Sequence, residues 1–355
     1  MSLGKIRAKI DRIDFEILDR LNERLELVLR TRRLKPEVRD TEREKDIFSR
    51  LKSRAAGSSV LRGDFVETLW SRIIQESRRL QARPLELIGF QGEHGAFGEA
   101  AARCFNPNLV TIPCLQFSDV FEGVESGQLD FGIVPVENSL AGPVTMVNEM
   151  LVEAPLKVVG AVRHRVSHCL LALPGTKFDD VKSVYSHPQA LSQCRDFLAR
   201  HDLEGLPYYD TAGAAKMLAS ERPKRGAVIA DRPCARLYNL AVIEAGIEDH
   251  PLNITRFLVV ARQKREEAGS KHSIIFSTPH RAGSLFAVLK LFADSNINLT
   301  RIESFPCRSA PRSYAFFLDF QASLERRELG QILDKVKEVT AMFKYLGSYN
   351  EEVSQ

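Results

Sequence analysis

The chain has 355 residues, of which 44% are apolar, 27% charged and 8% aromatic, a globular composition long enough for two or three domains and unlike a disordered or fibrous chain. No apolar run approaches the roughly 18 to 20 residues that span a bilayer, and the charged opening MSLGKIRAKIDRID is unlike a signal peptide, so a cytoplasmic protein with no membrane partner is expected. The formal charge of +4 is uneven: residues 1–83 hold 21 Lys+Arg against 14 Asp+Glu, hence +7, which leaves −3 for the rest.

Segment 1–83 contains one proline, Pro36, and three glycines. Ile6, Ile10, Ile13, Ile17, Leu21, Leu25 and Val28 recur at three- and four-residue steps, which predicts one long amphipathic helix to about Lys35. Thr41-x-x-Glu44 reads as a capping box opening a second helix through about Arg54. A third begins near Asp64 and carries Phe65, Leu69, Ile73 and Ile74 down one side. A helix of about 30 residues is near 45 Å long and cannot bury its stripe against two shorter partners, so a homodimer or higher oligomer is expected through it.

The basic charge of this segment is interspersed with acids at every turn and lacks aromatic interleaving, which argues against nucleic acid. Arg7 and Arg24, 17 residues apart on one helix, are separated by roughly 25 Å, so no small substrate touches both from one chain. Arg24 and Lys35 return to nearly the same azimuth and form a cationic stripe, while Ser77 and Gln81 continue the inward row of the third helix. Through about Gln81 the order I-R-x-x-I-x-x-I-D, N-E-R, D-x-x-R-E and S-x-x-x-Q resembles the all-helical chorismate mutases. The resemblance implies that Arg7 of a partner chain, with Arg24, Lys35 and Arg43, holds the substrate carboxylates and ether oxygen, and that Asp40, Glu44, Ser77 and Gln81 hold its hydroxyl and enol ether side. The Lys35 to Asp40 connection is about four residues shorter than is usual there, and Pro36 pushes Lys35 out of the helical region, with Arg32, Arg33 or Arg39 as alternative cations.

From Pro84 to 262 short β-type runs alternate with helical ones: LELIGF, the helix FGEAAARCF, LVTIPC, DFGIVPV, KSVYSH, GAVIA and RFLVVAR. This pattern predicts a mostly parallel sheet with helices on both faces, in one or two lobes, and a ligand at the carboxyl ends of the strands. The glycine turn Gly89–Phe97, the run Pro135-Val-Glu-Asn-Ser139 and the run Asn253-Ile-Thr-Arg-Phe257 are each unremarkable alone. Together with Tyr185-Ser-His-Pro-Gln189 and Asp210-Thr-Ala212 they resemble the prephenate dehydratases, whose fold is bilobal like the periplasmic binding proteins. The resemblance implies Thr255 as catalytic hydroxyl, Arg256 and Phe257 completing its motif, and Asn138, Ser139, His187, Gln189 and Thr211 at other pocket positions. The opening turn and Asp210-Thr-Ala-Gly-Ala-Ala215 look more like the plant arogenate dehydratases.

After a polar stretch at 263–270 the tail reads β-α-β-β-α-β, a ferredoxin-like unit. It resembles an ACT domain, which implies phenylalanine as effector, held by Gly283, Ser284, Leu285, Glu303 and Ser304 across a dimer interface, although Phe305 stands where arginine is usual. The six cysteines are scattered singly, which argues against a metal or disulfide framework, and no cofactor is implied. The reading is a fused enzyme: a helical chorismate mutase module (1–83), an α/β prephenate dehydratase domain (84–262) and an α+β ACT domain (270–350), acting on chorismate and prephenate. Two alternatives stand beside it: a dehydratase whose helical module only dimerises or regulates, and a non-catalytic ligand sensor.

Overall fold

A computed structural model describes residues 2–35, 37–58, 60–263, 269–306, 314–322 and 325–354, in two compact units, Met1–Glu86 and Leu87–Gln355. The first unit is α1 (Leu3–Arg32), α2 (Thr41–Ala56) and α3 (Gly63–Gln81). Three local expectations are corrected. The α1 helix stops at Arg32 rather than near Lys35. The α2 cap is Asp40, whose Oδ1 accepts the Arg43 N–H at 3.0 Å, so Thr41 is already helical and no Thr41–Glu44 box forms. On α3 the buried row is Val66, Ile74, Ser77 and Gln81, while Phe65 and Leu69 face solvent. Along α1 the apolar positions Ile6, Ile10, Ile13 and Ile17 are 44–52% exposed, so a single chain leaves most of the predicted stripe uncovered.

The second unit runs β1 (Leu87–Gln91), α4 (Phe97–Phe105), β2 (Val110–Cys114), α5 (Phe117–Glu125), β3 (Phe131–Asn138), β4 (Gly142–Pro143), α6 (Thr145–Glu153) and β5 (Lys157–Arg165). A second lobe follows: β6 (Cys169–Ala172), β7 (Ser183–Ser186), α7 (Pro188–Gln193), α8 (Arg195–Arg200), β8 (Glu204–Pro207), α9 (Thr211–Glu221), β9 (Gly226–Ala230), α10 (Pro233–Leu237) and β10 (Ala241–Ala245). The chain returns to the first lobe along β11 (Ile254–Ala261). The tail is β12 (Lys271–Ser277), α11 (Ser284–Asp294), β13 (Asn298–Pro306), β14 (Tyr314–Gln321), α12 (Arg326–Val339), β15 (Met342–Tyr349) and β16 (Glu351–Ser354).

The first sheet has the order β16-β5-β11-β3-β1-β2 with β4 on β3, and the second β10-β6-β9-β7-β8. Both are mixed, which corrects the mostly parallel expectation: β1 is parallel to β2 and β3, but β11 is antiparallel to β3 and β5. The reason is connectivity, because the chain leaves the first sheet along β5 and comes back alongside it. One apolar core runs through both lobes, joining Ile88, Phe90, Val162 and Phe257 to Leu171, Ala215 and Val228. The tail sheet, β13-β14-β12-β15, is wholly antiparallel with Ile274, Phe292, Leu318 and Val336 beneath its helices, as a ferredoxin-like unit requires. The last strand, β16, leaves that sheet and pairs in parallel with β5 of the first lobe.

Where α4 lies on β5, the Phe105 ring fills the space that a side chain at Gly160 would take. Gly160→Val is therefore expected to destabilise the second unit by about 1–3 kcal/mol, since overpacking a filled core forces neighbours off their rotamers. A urea unfolding curve with its midpoint lowered and slope unchanged checks this.

Candidate active sites

In the helical unit, three helices enclose a solvent-open cavity of about 1230 Å³. Seven of the residues singled out in the sequence line it: Arg24, Lys35, Asp40, Arg43, Glu44, Ser77 and Gln81. Arg32, Arg33 and Arg39 are not among its lining, so Lys35 reaches the cavity despite the short connection. Arg7 lies exposed on α1 and outside this lining. Arg24 donates to Ser77 Oγ at 2.6 Å, and Gln81 Nε2 donates to the Val28 carbonyl at 2.7 Å, so both polar ends of the α3 row tie it to α1 while still lining the cavity. Burial lowers the Arg24 guanidinium pKa. Lys35 Nζ donates to the Val38 carbonyl at 3.1 Å.

The lining carries six cations (Arg24, Lys35, Arg43, Arg50, Arg54, Arg78) and two anions (Asp40, Glu44), a net +4 that suits a dianion. Sequence reasoning missed Arg78, which grips Glu44 with two guanidinium nitrogens, the Nε contact being 2.8 Å. The only signal was its place one residue past Ser77, on the turn that faces α2.

In the second unit Asn138 and Ser139 stand at the carboxyl end of β3 and His187 and Gln189 follow that of β7, where ligands of α/β sheets sit, while Thr211 opens α9 and Thr255 lies at the start of β11. Pairing of β11 with β3 sets Thr255 opposite Asn138, and pairing with β5 sets it opposite His164, so the three side chains share one face. Asn138 Nδ2 donates to Thr255 Oγ1 at 2.9 Å and to Asn253 Oδ1 at 2.7 Å, while its Oδ1 accepts the Leu140 and Ala141 N–H groups at 3.0 and 2.9 Å. The amide is thereby locked, and the Thr255 hydroxyl accepts from it and keeps its own proton to donate. Ser139 is occupied otherwise: its hydroxyl donates to the Leu252 carbonyl and accepts the Ile254 N–H, stitching the entrance of β11. His164 and His168 are buried, burial lowers both pKa values, and each has an Nδ1 without a hydrogen-bond partner among the described residues. Their ordinary sequence surroundings gave no signal.

Arg256 is not on this face, which corrects its placement beside Thr255 as a catalytic group. Successive strand residues point to opposite sides, and Arg256 is 5% exposed between Asp319, Glu351 and the Tyr349 hydroxyl of the tail. Burial alone would lower its pKa, but these partners raise it. Phe257 lies on the Thr255 face as part of the shared core.

In the second lobe Ser186 is buried and donates to the Ile229 carbonyl at 2.6 Å, ending β7. His187 caps α7 by accepting the Gln189 N–H at 3.2 Å, and both side chains are exposed. Asp210 caps α9, accepting the Gly213 N–H at 2.8 Å, with Thr211 half-buried beside it. Gly92 of the opening turn, at φ +109°, leaves no room for a Cβ against Asp210 Oδ2, so the two lobes meet there. Glu93 bridges them by accepting from Lys216 at 2.8 Å and Tyr209 at 3.2 Å.

Of the effector residues, Gly283 at φ +83° caps α11, Ser284 is buried with its hydroxyl unpartnered among the described residues, and Leu285 joins the tail core. Glu303 and Ser304 lie on β13, the edge strand of that sheet, and the neighbouring Phe305 is buried.

Comparisons with known proteins divide the chain in the same order. Family profiles match at 6–82 (chorismate mutase type II), 88–265 (prephenate dehydratase) and 272–340 (ACT domain). A bifunctional chorismate mutase/prephenate dehydratase of Escherichia coli is 31% identical over 98% of this chain and 96% of its own. Arogenate dehydratase 2 of Petunia hybrida is 38% identical over 74% and 71%. Two solved structures each cover 74% of this chain. One, described as the quorum quenching acylase GqqA, has a TM-score of 0.68, 30% identity and 97% of its own chain covered. The other, a prephenate dehydratase from Arthrobacter aurescens in complex with L-Phe, has a TM-score of 0.67, 28% identity and 89% covered.

The opening turn also supplies a pH handle. Burial alone would raise Glu99, but hydrogen bonds from His94, the Gly95 N–H and Arg103 hold it at about 2. A depressed carboxylate stabilises the fold above its unfolded pKa, near 4.5, and that contribution is lost as pH falls from there towards 2. Glu99→Gln is expected to flatten the pH dependence of stability in this window, read from thermal midpoints across pH 2 to 5.

Proposed function

The chain belongs to the bifunctional chorismate mutase/prephenate dehydratase family, and on that footing we propose which of its residues perform each reaction. It is a two-reaction enzyme of phenylalanine biosynthesis, rearranging chorismate to prephenate and converting prephenate to phenylpyruvate, with feedback inhibition by L-phenylalanine through its ACT domain.

The mutase reaction needs no nucleophile. A pericyclic rearrangement asks only that a dianion be folded compactly and that charge developing on the breaking C–O bond be met by fixed cations. Arg24, Lys35 and Arg43 in a cavity of net positive charge supply this, with Ser77, Gln81, Asp40 and Glu44 for the hydroxyl and ether side. The exposed stripe of α1 supports a homodimer in which Arg7 of a second copy completes the pocket.

The dehydratase step protonates the departing ring hydroxyl, which leaves as water while the ring carboxylate departs as carbon dioxide. The electron pair of the breaking C–C bond completes the aromatic ring. One observation carries the assignment: Asn138 donates to the Thr255 hydroxyl, so that hydroxyl has its proton free for the leaving group. Phe257, His187, Gln189 and Thr211 form the surrounding pocket in this reading. Arg256 is engaged by side chains of the tail and Ser139 by the backbone at the entrance of β11, so neither acts on substrate in this reading.

A second substrate reading, arogenate in place of prephenate, is supported by the 38% identity to the Petunia arogenate dehydratase. Supplying both compounds to the same preparation decides it by the ratio of kcat/KM values. No helix among the described residues is long and apolar enough to cross a membrane, and the five described cysteines are free, which supports a reducing compartment such as the cytoplasm.

Thr255→Ala is expected to lower dehydratase kcat about 10²- to 10⁴-fold, the usual value of general acid help, while Thr255→Ser keeps much of it. Both variants should turn over chorismate normally. Arg24→Ala should do the reverse, losing chorismate turnover while prephenate is still consumed.

A further inference from the structure

Behind Thr255, on the opposite face of the first sheet, lies a buried ion cluster that the chemistry above leaves unused. Arg256 of β11 pairs with Asp319 of β14 and, at 2.6 Å, with Glu351 of β16, which also accepts from Lys271. Arg301 of β13 lies 3.0 Å from Glu137 of β3 and stacks over the Phe317 ring. The cluster holds three cations (Arg256, Lys271, Arg301) and three anions (Glu137, Asp319, Glu351), so it is balanced and each member is needed.

Its position on the strands is informative. The β3–β11 register slips between Arg256 and Phe257, which leaves Val136 as the extra residue of a β-bulge. Bulges re-aim the side chains beside them, and the two that follow on β3 are Glu137 and Asn138. Arg301 Nη2 donates to the Val136 carbonyl at 3.3 Å, so a regulatory-domain arginine grips the bulge from behind. Arg301 Nε and Nη1 have no hydrogen-bond partner among the described residues, and Nη1 stands 4.0 Å from Asp319, so this buried guanidinium has donors left open. Two residues further along the same strand is Glu303 of the effector motif.

We propose that Arg301 is a positioning residue for the dehydratase: by holding the Val136 bulge and Glu137 it sets the Asn138–Thr255 hydrogen bond. Effector bound along β13 reaches that bond by shifting this one guanidinium. The inference rests on the reading of Asn138 and Thr255 as dehydratase groups, and it assigns the path between two sites that are separately expected.

The test uses the full-length chain. Arg301→Met is assayed on prephenate with and without L-phenylalanine, beside Arg301→Lys, and phenylalanine binding is measured directly by calorimetry. The expected result is a kcat at least about tenfold lower with KM within about twofold, and partial recovery in the lysine variant, which keeps the charge near Glu137. The half-inhibiting phenylalanine concentration should rise about tenfold or more, within the range typical of effector coupling, while the phenylalanine Kd stays within about threefold. Wild-type kcat with undiminished inhibition overturns the proposal, as does a variant that only raises KM. If Arg301→Met does not fold, Glu137→Gln at the other end of the contact carries the same test with the same two outcomes. Full activity in Thr255→Ala would instead remove the site reading, a failure visible without any Arg301 variant.

Discussion

One antiparallel strand, β11, constrains the second unit more than any other element. It is the return path from the second lobe, so it is paired on both sides, and its alternation divides neighbouring residues between two jobs. Thr255 and Phe257 face the Asn138 side and the shared core, while Arg256 faces the tail domain and is held there by Asp319, Glu351 and Tyr349. A buried guanidinium of this kind is costly unless fully paired, so the tail sheet is an obligatory neighbour of β11 and not an appended module. The terminal strand β16, paired with β5 and carrying Glu351, closes the same arrangement.

The two chemistries ask little of the protein in covalent terms, and the two sites are built accordingly. The helical cavity concentrates positive charge around a few fixed hydrogen bonds, and its helices are tied by the groups that line it: Arg24 to Ser77, Gln81 to Val28 and Arg78 to Glu44. The α/β site places one hydroxyl and fixes its direction through an amide whose donor and acceptor ends are both engaged by its neighbours. Cations dominate the first site, where charge must be steadied. The second centres on a neutral amide and a hydroxyl, with burial lowering the pKa values of His164 and His168 nearby.

Much of this was legible in the sequence wherever a pattern was local. The 3.6-residue rhythm marked α1 and the short β runs marked β1, β3 and β11. The β-α-β-β-α-β order of the tail gave its sheet. What was hidden depended on partners far away in the chain. The strand Lys157–Arg165 had a charged end that masked it, and the antiparallel return of β11 was invisible without knowing that the second lobe intervenes. In the site, Thr255 and Asn138 could be singled out, but the true company of Arg256 lies 63 to 95 residues downstream, beyond any motif. Asp40 displaced Thr41 as the α2 cap because one carboxylate reached the Arg43 amide, a choice that spacing alone does not make.

The central claim, that one chain makes prephenate in one unit and consumes it at Thr255 in the other, has one direct measurement. Chorismate is supplied to Thr255→Ala and the products are separated over time. The account predicts that chorismate disappears at the parent rate and prephenate accumulates with scarcely any phenylpyruvate. Phenylpyruvate appearing as fast as in the parent would contradict it.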